Sequence, residues 1–248
     1  MSTPAVPPVE THALSESQRV INTFVAPSKT FTDIRRNASW WVPWLILSVF
    51  GLIFSYAVTS KIGWDQVIQN EIAKNPSAAE RMEKMPPEQR EQAIRMQANI
   101  GKYSAFASPV FILLALVVVT AVLMATFNFG MGAAVKFGQA MAITAYGWLP
   151  SIVSSVLAIM SMFLGADPEG FNVRNPVATN LGAFLSPTDN KFAYALASAV
   201  DIIAIWMVIL LGIGFACNSK VKRGTAIAVV AGWYIVVKLV GAGFAGMF

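Results

Sequence analysis

Cysteine and histidine are almost missing from this chain. It has one of each in 248 residues, Cys217 and His12. A single cysteine rules out an internal disulfide framework and a multi-cysteine metal site. A single histidine rules out a histidine-dependent intramembrane serine protease and an H-E-x-x-H zinc site. An intramembrane aspartyl protease needs two carboxylates at membrane depth, and only Asp201 lies inside an apolar run. No P-loop or dinucleotide-binding fingerprint occurs, and Gly130-Met-Gly132 reads as a turn. No catalytic residue, metal ligand or cofactor is therefore expected, and the chain is read as non-enzymatic.

Charge is also scarce. Charged residues make up 12% of the chain, about half the share usual in a soluble domain. They are bunched, so Trp40 to Ser60, Tyr103 to Val135 and Phe137 to Ala166 carry none. The sequence pI near 9.4 does not point to nucleic acid, because most of the excess basic residues flank apolar runs, where anionic lipid attracts them.

In place of charge the chain has apolar runs. It is 56% hydrophobic, with a mean hydropathy of +0.59. A hydrocarbon layer about 30 Å thick is crossed by roughly 20 apolar residues in helix. We read five such spans, at 42–60, 106–127, 139–164, 193–216 and 224–246. Only helices and closed barrels satisfy their backbone groups in lipid, and runs without strict alternation are not barrel strands. The expected fold is an all-α polytopic membrane protein with a five-helix bundle, and the lipid bilayer is its first partner.

The approach to the first span is sharply patterned. Arg35 and Arg36 precede Trp40, Trp41 and Trp44, as basic residues in water precede an aromatic belt at the membrane interface. Pro43 falls in the first turn of the span, where its missing N–H costs little. No apolar signal-peptide core precedes it, so span one is expected to act as its own insertion signal. Lys29, Lys136, Lys220, Lys222 and Arg223 flank spans on the same side as Arg35 and Arg36, which favours a cytoplasmic N-terminus and an outside C-terminus.

Three parts follow from these boundaries: a disordered tail at 1–14, a cytoplasmic interfacial amphipathic segment at 15–39, and the membrane domain at 40–248. In the second, Ser15 and Gln18 have capping-box spacing, Val20, Ile21 and Phe24 share a face, and Pro27 ends the helix. These helices are expected to lie along the inner surface. In the third, residues 61–104 interrupt the spans as an extramembrane helical hairpin. There Ser77 and Glu80 have capping-box spacing, Glu80–Lys84 and Glu91–Arg95 are i,i+4 pairs, and Pro86-Pro87 separate two helices. Met82, Met85, Ile94 and Ile100 form a thin apolar seam. The hairpin is either a cap on the bundle or a dock for a partner.

Two charges lie within spans, Asp201 and Lys238. Charges in lipid are costly and usually face a partner or a cavity. Each is about 14 Å from the same membrane face at 1.5 Å per residue, so an Asp201–Lys238 ion pair is expected, clamping two helices or serving an ion-coupled switch. In span three, Tyr146 and Pro150 mark a kink that Ser151, Ser154 and Ser155 can re-satisfy. Gly212, Gly241, Ala242 and Gly246 supply small-residue contacts, which leaves a homo-oligomer open. Cys217 is read as an inert thiol.

Phe24-x-x-Pro27-x-x-Thr30-Phe31-x-x-Ile34 followed by Trp40-Trp41-x-Pro43, with Tyr146-x-x-x-Pro150 in span three, resembles the bacterial Yip-domain proteins over residues 20–248. The resemblance implies a scaffold-like protein of the bacterial inner membrane with five spans. Eukaryotic members of that family act in vesicle traffic with lipidated small GTPases. Their acidic Asp-Leu-Tyr-Gly-Pro element is replaced here by Asn37-Ala-Ser-Trp-Trp, and their pattern lacks the charged 61–104 insertion, so GTPase binding is not carried over. The expected function is a membrane scaffold or organiser that binds a membrane protein through 61–104 or 15–36. The alternative is a small solute, ion or lipid transporter or channel that uses Asp201 and Lys238.

Overall fold

The computed structural model describes residues 13–247 apart from 166 and 187, with side chains as far as residue 244. His12 and the expected tail lie outside the described residues except for residues 13 and 14. The surroundings of Gly246 also lie outside them.

The described chain is helical, with one isolated bridge between Asn180 and Asp201. Its helices are α1 (Glu16–Val25), α2 (Pro27–Asp33), α3 (Trp41–Lys61), α4 (Trp64–Ala73), α5 (Pro76–Glu83), α6 (Pro87–Phe106), α7 (Ser108–Ala125, continued by a π turn at Thr126–Gly130), α8 (Phe137–Gly147), α9 (Ser151–Phe163), α10 (Lys191–Ala199), α11 (Ile202–Cys217) and α12 (Arg223–Met247). Four stretches are long and apolar enough to cross a membrane: Trp41–Lys61, Ser108–Gly130, Phe137–Phe163 and Arg223–Phe244. They match four of the five expected spans closely.

The expected span at 193–216 is divided. Asn190 caps α10 by accepting from the Ala193 N–H at 2.9 Å, and Asp201 caps α11 by accepting from the Ala204 N–H at 2.8 Å. A carboxylate in extended backbone is a strong helix start, and Asp201 has that conformation, with φ −116 and ψ 128. This leaves α11 as a 16-residue apolar helix. The backbone groups freed at the break do not go begging. Leu181 N–H donates to the Val200 carbonyl at 3.2 Å, and Ile202 N–H donates to the Thr179 carbonyl at 3.1 Å. Irregular backbone at membrane depth needs such partners.

The helices run between two ends. At one end, here the near end, the turn after α11 meets α2: the Asn218 amide donates to the Phe31 carbonyl at 2.8 Å, and Arg223 donates to the Ser28 hydroxyl at 3.0 Å. At the far end α4, α5 and α6 pack on one another and on the loop after α9. The Asn70 amide donates to the carbonyls of Pro168 at 2.7 Å and Phe171 at 3.0 Å. The extramembrane segment thus has three helices rather than two. Ser77 does not start α5, because Pro76 already occupies the first helical position and Asn75 precedes it. The Ser77 hydroxyl bonds the Asn75 side chain instead, at 2.8 Å. The two i,i+4 pairs do form, Lys84–Glu80 and Arg95–Glu91, each at 2.6 Å.

The main core gathers α2, α8, α11 and the end of α7 around Phe31, Ile34, Phe127, Tyr146, Leu149 and Phe215. Phe127 and Phe215 stack 4.3 Å apart. Phe31 and Ile34 are fully buried, so the segment before span one is driven into the bundle and is more than a layer on its surface. The close approaches need glycine. A Cβ on Gly212 would stand 2.6 Å from the backbone Cα of Ile227 in α12, and one on Gly214 would stand 2.4 Å from Ile143 in α8. By contrast Gly241 has nothing within 4 Å of that position, beside a buried Ala242.

Candidate functional site

The near end is built on a buried arginine. Ser15 caps α1 through a full capping box, accepting from Gln18 N–H and donating its own N–H to the Gln18 side chain at 2.9 Å. That fixes α1 so that Arg19 points inward, where its side chain is 1% exposed. Its guanidinium contacts the Asp33 carboxylate at 2.6 Å and 2.8 Å and Glu16 at 3.3 Å. Arg36 reaches Asp33 from outside at 2.9 Å. The hydroxyls of Thr23 and Thr30 both donate to the Arg19 carbonyl at 2.8 Å, which ties α1 to α2. Glu16 then accepts from the Tyr146 hydroxyl at 2.7 Å, which ties α1 to α8. Burial raises the Asp33 pKa, but the hydrogen bonds from Arg19 and Arg36 outweigh it and hold the carboxyl below its ordinary value. Burial likewise opposes the charge on Arg19, and Asp33 more than offsets it, so that pKa lies above its ordinary value.

The far end is open. A cleft of about 750 Å³ lies between α4, α5, the 172–181 loop segment, α10 and α12. Asp201 and Lys238 both line it, so the structure brings the two charges expected within spans to one cavity. It does not join them in the ion pair read from their depth. No Asp201–Lys238 bridge forms among the described residues, and Asp201 instead makes two local hydrogen bonds. One carboxylate oxygen caps α11 and the other accepts from the Thr179 hydroxyl at 2.5 Å. Lys238 extends along α12, with its ammonium 5.4 Å from the centre of the Tyr234 ring. Tyr234 donates to the Ala199 carbonyl at 2.6 Å, which gives that carbonyl a partner just before the break.

The upper wall of the cleft is polar. Arg174 and Lys74 share Glu71 at 3.0 Å and 3.5 Å. Asn172 and Asn175 donate to the Tyr194 hydroxyl, each at 3.1 Å. Beside the cleft, α6 turns Met96, Ile100 and Tyr103 outward at 60%, 59% and 71% exposure. Their i, i+4, i+7 spacing makes one stripe along the helix. It differs from the seam expected from the sequence, in which only Ile100 is shared; Met82 is the buried residue of α5 instead.

The remaining expected residues are placed as follows. The chain breaks helix between α8 and α9 at 148–150, where Ser151 donates to the Trp148 carbonyl at 2.8 Å and Leu149 N–H to the Tyr146 carbonyl at 3.2 Å. This break is dry: Tyr146 and Leu149 are fully buried, and a Cβ on Gly147 would stand 2.6 Å from the Leu211 side chain. Trp41 faces outward, whereas Trp40 and Trp44 meet edge to face at 6.3 Å and pack on Leu116 and Met141. The Trp44 indole N–H donates to the Pro109 carbonyl at 3.1 Å. Arg35 donates to the Cys217 carbonyl. Sequence reasoning missed Arg19, Asp33 and Glu16. It also missed the Thr120–Thr144 hydrogen bond at 3.0 Å, a buried polar tie between α7 and α8. The capping box at Ser15 was the one available signal that α1 is held in a set orientation.

A family model described as the Yip1 domain matches residues 21–245, nearly the whole chain. No curated protein and no solved structure matches it.

Proposed function

The chain belongs to the Yip1 domain family, a multi-pass membrane protein by its apolar helices, and from that premise we propose that it is a non-enzymatic organiser of other membrane components. The observation that carries this reading is the exposed Met96–Ile100–Tyr103 stripe on α6. Isolated exposed apolar residues are ordinary, but a rimmed apolar stripe outside the bilayer marks a protein contact. Helix-in-groove partners read such i, i+4, i+7 anchors. The flanking Arg95 and Glu91 are exposed and paired with each other, a polar rim of the kind that surrounds interface cores.

In this reading the chain crosses the bilayer five times, with α10 and α11 together forming the fourth crossing around the Asp201 break. The near end, with Lys29, Arg35, Arg36, Lys220, Lys222 and Arg223, faces a bacterial cytoplasm, and the far end faces outward. The α4–α6 segment docks a membrane protein, and α1, which leaves Ile21 and Val25 exposed at 61% and 73%, offers a second contact at the inner surface. The open faces of Gly241 and Gly243 suit a second copy of the chain.

The test is a photo-crosslinking residue placed at Ile100 in cells, with Lys84 as the control position. One discrete protein adduct from Ile100 and none from Lys84 is the expected outcome. Adducts of equal pattern at both positions would sink the docking reading.

The transporter reading keeps one specific support, two discontinuous helices beside a polar cleft, an arrangement used by secondary transporters. Solute flux through reconstituted protein that disappears in Asp201→Asn would favour it over the organiser.

A further inference from the structure

Lys238 presents a cation at membrane depth and forms no ion pair among the described residues. Among the described residues its contact is the Tyr234 ring, a weak partner for an ammonium. It lies fifteen residues beyond Arg223, about 22 Å along α12 at 1.5 Å per residue. That puts it in the far third of a hydrocarbon layer about 30 Å thick. Asp201, which lines the same cleft, accepts from the Ala204 N–H and the Thr179 hydroxyl and makes no bridge to Lys238. Charges at this depth normally face a partner, and among the described residues Lys238 makes no ion pair.

The cleft that Lys238 faces has an excess of positive charge. Its charged lining residues are Lys74, Arg174, Lys191 and Lys238 against Glu71 and Asp201. Glu71 is shared between Lys74 and Arg174, so it cannot neutralise both. Asn172, Asn175 and Tyr194, bonded to one another, add polar lining to the same space. Ile72, Val177, Ala195 and Ala204 give the same cleft an apolar side; next to it α10 buries none of its residues, and Ile235 and Val237 of α12 are 54% and 63% exposed. A polar, cationic roof over an apolar, open floor fits a molecule with an anionic head and hydrocarbon tails.

We propose that this cleft is a binding site for the phosphate headgroup of an anionic phospholipid, with Lys238 and Arg174 as its cationic contacts and the acyl chains running down beside α10 and α12. The shared chemistry is a phosphate anion. The open apolar floor at the depth of Lys238 assigns it to a lipid rather than to free phosphate. The site rests on the membrane reading of the helices and is independent of the organiser role.

The test is native mass spectrometry of the full-length, delipidated protein in detergent, titrated separately with phosphatidylglycerol and phosphatidylcholine, and with inorganic phosphate as competitor. The expected result is one retained phosphatidylglycerol at concentrations where phosphatidylcholine is not retained. Lys238→Gln should weaken retention about tenfold, the effect of losing one charge-assisted hydrogen bond, and Lys238→Arg should restore it. Lys220→Gln, at the near end, should leave it unchanged. A Lys238→Gln protein that no longer elutes as folded protein is replaced by Arg174→Gln, for which the same loss is expected. Equal retention of the two lipids, or Lys238→Gln and Arg174→Gln binding like the parent protein, would overturn the site. Displacement of the lipid by millimolar inorganic phosphate would overturn its assignment to a lipid. The organiser reading is read separately from the Ile100 adduct, so either can fail alone.

Discussion

The two ends of this bundle handle charge in opposite ways. At the near end Arg19 and Asp33 are closed in and bonded to each other, with Arg19 all but inaccessible, and a partly exposed Glu16 joins them. At the far end Lys74, Arg174, Lys191, Asp201 and Lys238 line an open cleft, and the one acid–base pair expected across it is not made. The lesson is that a charged residue in a membrane protein must be read with its surroundings. A sealed cluster is a joint: it holds α1 and α2 to α8 through Tyr146. An open cluster with more basic than acidic groups is a surface waiting for an anion. The two helix breaks repeat the contrast. The break at 148–150 is filled by Tyr146, Leu149 and Gly147 against Leu211 and is dry. The break at 200–201 is held by Thr179 and the 179–181 backbone and borders the open cleft.

The comparison is broken most forcefully at the joint. Asp33→Ala leaves Arg19 buried without its main partner, and removal of one member of a buried pair costs about 3–5 kcal/mol. A drop of that size in the denaturation free energy of the detergent-solubilised protein is expected, together with release of α1 to proteolysis. The effect depends on pH in a known direction. Asp33 has its folded pKa below the unfolded value, so its stabilisation is present above the ordinary aspartate pKa of about 3.9. It is lost as pH falls through the folded value. The stability gap between the parent protein and Asp33→Ala should therefore be constant near neutrality and narrow in acid below about pH 4.

A smaller effect separates packed from open small residues. Gly212→Ala drives a methyl against the Ile227 backbone and should cost about 1–3 kcal/mol by overpacking. Gly241→Ala meets nothing within 4 Å and should be neutral in the monomer; thermal melts of the two variants check both. Smaller again is Thr179→Val at the far-end break. It removes a partly exposed hydrogen bond to the Asp201 carboxylate, worth about 1 kcal/mol, and should speed amide exchange at 202–206 without moving the near end. Last, Lys84→Gln breaks a pair that is mostly exposed and should shift stability by less than about 0.5 kcal/mol.

Four of the spans were legible in the sequence because uninterrupted apolar runs of the right length have one stable solution in lipid. The interruption of the remaining apolar run at Asp201 was not, because one acid among apolar residues reads as a buried charge. Its role as a helix start depends on Thr179 and Leu181, some twenty residues earlier. Ser77 was misread for a local reason, since Pro76 takes the first helical position and moves the cap to Asn75. Arg19 was invisible for the opposite reason. In a polar segment an arginine reads as solvated, and its burial depends on Asp33 fourteen residues away and, through Glu16, on Tyr146 in another helix. The cleft is assembled from six separate parts of the chain, and no local spacing announces it. Lys238 and Asp201 were nevertheless singled out from depth alone and do share that cavity.

The division into a sealed near end and an open far end is tested most directly by amide hydrogen exchange of the protein in lipid nanodiscs, comparing residues 16–36 with residues 172–181. The account predicts that 16–36 exchange as slowly as α8, to which they are bonded, whereas 172–181 exchange fast. Rapid exchange across 16–36, at the rate of a helix merely resting on the membrane, would contradict it.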